Sequence, residues 1–136
     1  MKVLTVEATK ENLDKVIGFL DEQLEEMECP MKILMQMELA VEEIYINVAS
    51  YAYGEGTGQV TMVMDMKQDP KRIEIEFQDQ GVPYNPLEKQ DPDIRLSAEE
   101  REIGGLGVYL TKKYMDEVAY AYEDGKNIFC MRKILS

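Results

Sequence analysis

The chain of 136 residues contains no histidine, no tryptophan and only two cysteines. Without histidine there is no Ser-His-Asp triad, no histidine-bearing zinc site and no phospho-acceptor histidine, so any general base must be a carboxylate. The cysteines, Cys29 and Cys130, stand in ordinary apolar contexts without metal-ligand spacing. They read as reduced core or near-core residues of a cytoplasmic protein. Long apolar runs are missing as well: none approaches the roughly 20 residues that span a bilayer, and no signal-peptide pattern is recognised. Positive charge is scarce. Fifteen basic residues against 27 acidic ones give a formal net charge of −12, a field that repels nucleic acid and anionic membranes. A polyphosphate ligand would therefore have to be held locally, by backbone amides and a metal ion.

What is present suffices for one compact core. With 45% hydrophobic residues, the expectation is a single domain over 1–136. Lys2 to Glu7 reads as a short strand, and Thr9 as the N-cap of an amphipathic helix with apolar positions Leu13, Val16, Ile17, Leu20, Leu24 and Met27. Cys29-Pro30 breaks it, and a second helix is expected from Met31 to about Tyr53, ended by Gly54, Gly56 and Gly58. The period then changes to two. Val60, Met62, Met64 and Met66 mark one face of a strand, Gln68 to Lys71 a turn, and Arg72 to Asp79 its hairpin partner. Asn85 to Ile103 is polar and carries Pro86 and Pro92. A loop of that length is often a lid or binding loop, here at about 86–103, with Ser97 to Glu100 fitting a capping box. After Gly104-Gly105-Leu106-Gly107 a third helix is expected to about Met115, and the chain ends as a hairpin, Glu117 to Glu123 and Asn127 to Ile134, joined at Asp124-Gly125. Strands and helices without regular βαβ alternation predict an α+β, two-layer sandwich. Its mainly antiparallel or mixed sheet is covered by three helices on one face, and its other face must be tolerated by solvent or a partner.

Three features invite a functional reading. Ile73, Ile75 and Phe77 share the inner face of their strand, and continued alternation places Asp79 there too. A lone carboxylate at such a place is costly unless something donates hydrogen bonds to it, either the fold, through a turn bond from Gly81, or a ligand. On the second helix, Ile33, Met37, Ala40, Val41, Ile44, Val48 and Tyr51 form an apolar stripe that contains Asn47, with Glu43 one turn earlier at its edge. Asn47 could be a structural amide and Glu43 a solvated edge residue, or both could serve a site. Gly104-Gly105-Leu106-Gly107 opens the third helix, where glycines let a phosphate approach free amides, or merely form a hinge. No Lys-Ser or Lys-Thr follows, so it is not a Walker loop.

Taken in order, Glu38-Leu-Ala-Val-Glu-Glu-Ile-Tyr-Ile-Asn47, Asp79-Gln-Gly-Val-Pro-Tyr-Asn-Pro86 and Ile103-Gly-Gly-Leu-Gly-Val-Tyr-Leu110, with Tyr114-Met-Asp-Glu-Val118 behind, make the chain similar to a known group. It resembles the Bergerat-type (GHKL) ATP-binding fold, and within it the anti-sigma regulatory factor and serine-protein kinase family of small bacterial regulators. The resemblance implies that Asp79 accepts the adenine amino group and Gly81 lets the base approach. It implies that Asn47 ligates Mg²⁺, that the amides around Gly104, Gly105, Leu106 and Gly107 hold the ATP phosphates under the lid, and that Glu43 is the catalytic base. Where many relatives carry histidine four residues after the metal-binding asparagine, this chain has Tyr51. Arg95, Arg101, Lys112 and Lys113 are the basic residues nearest these motifs. The implied activity is a protein-serine kinase that phosphorylates a STAS-type anti-anti-sigma protein and sequesters a partner such as a sigma factor, as a homodimer. The alternatives are a non-catalytic, ATP-dependent protein-binding module and, more distantly, a stand-alone ATPase or the catalytic piece of a two-component kinase.

Overall fold

The computed structural model describes residues 1–88 and 105–135, apart from the side chains at 88, 105 and 106. Strands β1 (Lys2–Glu7), β2 (Gln59–Lys67), β3 (Arg72–Asp79), β4 (Glu117–Glu123) and β5 (Lys126–Ile134) form one sheet in the order β1-β2-β3-β5-β4, and every neighbouring pair is antiparallel. Among the described residues the α-helices are α1 (Leu13–Glu26), α2 (Met31–Tyr51) and α3 (Gly105–Tyr114), and α2 packs against both of the others. The α+β sandwich expected from the sequence is therefore the fold.

Its layers follow from the period of two. Val60, Met62 and Met64 of β2, Ile73, Ile75 and Phe77 of β3, and Phe129 and Met131 of β5 are buried against the helices. The residues between them on β3, Arg72, Glu74, Glu76 and Gln78, are only half-buried on the uncovered face. Each large side chain removed from water in this way stabilises the fold by about 1.5–3 kcal/mol. The last hairpin turns at Asp124 and Gly125 with φ of 53° and 75°, both positive as a two-residue hairpin of right-handed twist requires.

Three local expectations change. Thr9 precedes a short 3-10 turn, Lys10–Asn12, rather than α1 itself, and its side chain makes no capping bond. Instead the Asn12 side chain donates to the Glu7 carbonyl at 2.8 Å. Helix α2 stops at Tyr51 rather than Tyr53. Tyr51, placed on the apolar stripe by spacing, is 45% exposed, whereas Tyr45, off that stripe, is fully buried and donates through its hydroxyl to the Thr9 carbonyl. Helix α2 packs against α1 and α3 as well as the apolar core, so its middle is buried over a wider arc than one stripe.

Candidate functional site

Strand β3 delivers Asp79 to the helix-facing side at its last residue, where it is 5% exposed. The fold supplies two hydrogen-bond donors. The Gly81 amide reaches Asp79 Oδ1 at 2.9 Å, the turn bond considered above, and Asn127 Nδ2 reaches the same oxygen at 2.9 Å. Asn127 is the residue of β5 directly opposite Asp79 in the β3–β5 register. Among the described residues the hydrogen bonds of Asp79 thus fall on Oδ1, and Oδ2 is the oxygen left for a ligand's donor. Sequence reasoning passed over Asn127. The signal was a polar residue in phase with the inward-facing Phe129 and Met131, but only the register puts it against Asp79.

Gly81 has a packing role of its own. A Cβ there would fall 2.0 Å from the Ala52 carbonyl oxygen, and the next amide, Val82, donates to that carbonyl at 2.7 Å. Glycine is thus required by the junction of the loop with the end of α2. The cleft beside Asp79 is walled by Ile44, Asn47 and Val48 of α2 and by Phe77 and Phe129 of the sheet, and Tyr84 and Pro86 line it from the loop. Its interior is about 30 Å³, room for about one water. Tyr84 stacks on Tyr51 with ring centroids 4.9 Å apart. A planar base is larger than that interior, so this cleft must widen to admit one.

At the other side of the cleft, Asn47 is 5% exposed and donates through Nδ2 to the Glu43 carbonyl at 2.8 Å and to Glu43 Oε1 at 3.2 Å. The local bond to the preceding turn exists, so the structural reading of Asn47 is met in part. It also orients the amide: with Nδ2 engaged, the carbonyl oxygen Oδ1 is the atom available to a hard cation. Among the described residues there is no group of three or more His, Cys, Asp or Glu side chains that would hold a metal. The donor set fits a magnesium ion that arrives with phosphate, since that ion keeps its waters and uses one or two protein ligands.

Glu43 meets the third motif directly. A Cβ on Gly107 would lie 2.1 Å from Glu43 Cδ and Oε2, so the first turn of α3 closes on the Glu43 carboxyl, and a larger residue there would push that side chain aside. Gly105, Leu106 and Gly107 form that turn, with amides that lack partners within the helix. Gly104 lies outside the described residues, as do Arg95, Arg101, the 97–100 capping box and the lid beyond residue 88. Lys112 and Lys113 occupy the last turn of α3, at the opposite end from the glycines.

The cysteines behave as expected of unreactive thiols. Both are free and half-buried. Burial pushes the Cys29 thiol up, and burial together with the Glu76 carboxylate 3.7 Å away pushes Cys130 up to about 11.

Asp79 and Asn47 thus line the cleft between α2 and the sheet, and Glu43 lies one helical turn from Asn47, against the glycine turn of α3. The family model of the histidine kinase-like ATPase domain matches residues 6–133. The chain belongs to that family. Curated relatives similar to it include the serine-protein kinase RsbW of Bacillus mycoides (strain KBAB4), 31% identical over 102 residues, which are 72% of this chain and 62% of the relative. The serine-protein kinase RsbW of Bacillus cereus (strain B4264) is 32% identical over the same shares. The chain thus spans about 62% of the length of these kinases. The crystal structure of the RsbU and RsbW domains of Rv1364c from Mycobacterium tuberculosis superimposes with a TM-score of 0.65 at 15% identity, over 99% of this chain and 33% of that one. That likeness is one of fold. Among the described residues no helix is long and apolar enough to cross a membrane.

Proposed function

We propose that this histidine kinase-like ATPase domain binds Mg·ATP and transfers the γ-phosphoryl group to a serine of a STAS-type anti-anti-sigma protein. In the same reading it sequesters a sigma factor and works as a cytoplasmic homodimer. Similarity to the RsbW kinases supports the reading, and one observation carries it: the Glu43 carboxyl packs on the glycine turn of α3 while sharing α2 with Asn47. A carboxylate one helical turn from a metal-ligating amide, against amides suited to phosphate, is where a general base for phosphoryl transfer belongs.

Each residue then has a task. Asp79 Oδ2 accepts the exocyclic amino group of the base. Asn47 Oδ1 ligates the cation, and the amides of the 104–107 turn hold the phosphates. Glu43 orients the serine hydroxyl and takes its proton. Bound Mg·ATP supplies the phosphoryl group, with the metal neutralising its charge.

Titration calorimetry with a non-hydrolysable ATP analogue, with and without Mg²⁺, tests the site. Wild type should bind in a metal-dependent way, and Asp79→Asn, folded, should lose at least about tenfold in affinity. A folded wild type that ignores the analogue sinks the proposal. Glu43→Gln should keep the analogue but lose transfer to the STAS substrate by about 10²-fold or more. Undiminished transfer would move the base elsewhere, and binding without transfer by wild type would leave a nucleotide-dependent capture module.

A further inference from the structure

Asn127 holds the polar end of the cleft together through all four of its hydrogen-bonding positions. Its Nδ2 donates to Asp79 Oδ1 at 2.9 Å and to the Val82 carbonyl at 2.8 Å, with the Gly81 carbonyl at 3.5 Å. Its Oδ1 accepts from the Tyr84 amide at 3.2 Å and from the Tyr120 hydroxyl. Only one orientation of the amide satisfies these partners, because a flip would set its oxygen against a carboxylate and a carbonyl and its NH₂ against two donors. The residue is 6% exposed, so an unmatched contact would be costly.

We propose that Asn127 is the positioning residue that makes the site selective for a base with an exocyclic amino group, such as a 6-aminopurine, over its 6-oxo counterpart. The inference rests on the nucleotide-site reading above. Two N–H donors, from Gly81 and Asn127, converge on Asp79 Oδ1, which fixes the plane of the carboxylate and keeps that oxygen an acceptor. Oδ2, which takes part in neither bond, is the oxygen left for the base. An amino group donates to it; a ring carbonyl in the same place sets oxygen against oxygen. The amide also ties the Val82 carbonyl and Tyr84 amide to the same side chain, so the loop that lines the cleft is anchored at the group that positions Asp79.

Asn127→Asp reverses the donor at nearly constant shape. A second carboxyl would then stand where Nδ2 meets Asp79 Oδ1, and two carboxyls at that distance share a proton. With that proton held between the two carboxyls at Oδ1, Asp79 is no longer pinned by the Asn127 amide, and the preference for the amino base should fall. Tyr120→Phe is gentler: it removes the hydroxyl that helps hold the amide in place.

The probes are non-hydrolysable analogues of ATP and of inosine triphosphate, titrated in the presence of Mg²⁺ into wild type, Asn127→Asp and Tyr120→Phe. Thermal unfolding of each protein serves as the control for folding. Wild type should prefer the adenine analogue by about 10²-fold. The ratio should fall by about tenfold or more in Asn127→Asp, and by about two- to fivefold in Tyr120→Phe. A purely structural role for Asn127 would weaken both ligands alike and leave the ratio unchanged, and that result in folded variants overturns the inference while leaving the nucleotide site standing. If Asn127→Asp does not fold, Tyr120→Phe decides by the same criterion. Binding of neither analogue by folded wild type removes the nucleotide site itself, and the selectivity role with it.

Discussion

Asp79 at the end of β3 and Glu38 in the first half of α2 are carboxyls with opposite surroundings. Asp79 accepts from two N–H groups, those of Gly81 and Asn127. Glu38 meets another carboxyl, Asp21 of α1: burial, then the charge and hydrogen bond of Asp21, then the charge of Glu42, hold it above the ordinary carboxyl value of 4.5. On Asp21 itself, Oδ1 is buried with no hydrogen-bond partner among the described residues. Donors supplied in advance keep a carboxylate in one orientation. Two carboxyls that face each other, one with a buried oxygen lacking a donor, mark a local cost that the core elsewhere offsets.

The contrast can be broken most forcefully at Asp79. Replacing it by leucine strands the Gly81 amide and one N–H of Asn127 in a buried place, and should cost about 3 kcal/mol in urea unfolding. A loss below about 1 kcal/mol would mean that the two donors find water easily and that Asp79 is no more specially housed than Glu38. Next in size is Gly81→Ala. The new methyl would meet the Ala52 backbone rather than a flexible side chain, so a loss of about 1–3 kcal/mol is expected, together with weaker nucleotide binding. An unchanged melting temperature would show that the loop–α2 junction can shift freely.

The smallest effect is expected at the other pole. Glu38→Gln removes one member of the carboxyl pair and should stabilise the protein at neutral pH by no more than about 0.5 kcal/mol, the usual range for half-exposed positions. The sign follows from the raised carboxyl. Its stabilising contribution is complete below the ordinary value of 4.5 and is lost as pH rises through the elevated one. The advantage of glutamine should therefore be present at pH 7 and vanish below about pH 4.5. A gain that persists in acid would assign it to something other than charge.

Much of the site could be read before the structure. Asp79 follows the inward phase of Ile73, Ile75 and Phe77, and Glu43 and Asn47 are one turn apart on a helix whose period is clear. Less legible were the reasons for the glycines. Gly81 and Gly107 each admit a particular neighbour, the Ala52 backbone and the Glu43 carboxyl, 29 and 64 residues away in sequence, and no local pattern encodes such an approach. The same holds for Tyr45, whose burial depends on α2 being enclosed by other elements rather than on its own stripe.

The sequence by itself determined the elements and the inward faces of the strands, because periodicity and turn chemistry act between neighbours a few residues apart. Tertiary structure alone decided that β5 inserts between β3 and β4, which sets Asn127 opposite Asp79 across 48 positions of sequence. It also decided that the glycine turn of α3 closes on Glu43, and that Asp21 faces Glu38. Those pairings are fixed by which apolar faces must be buried together. That is a property of the whole packed core, and no stretch of the chain carries it alone.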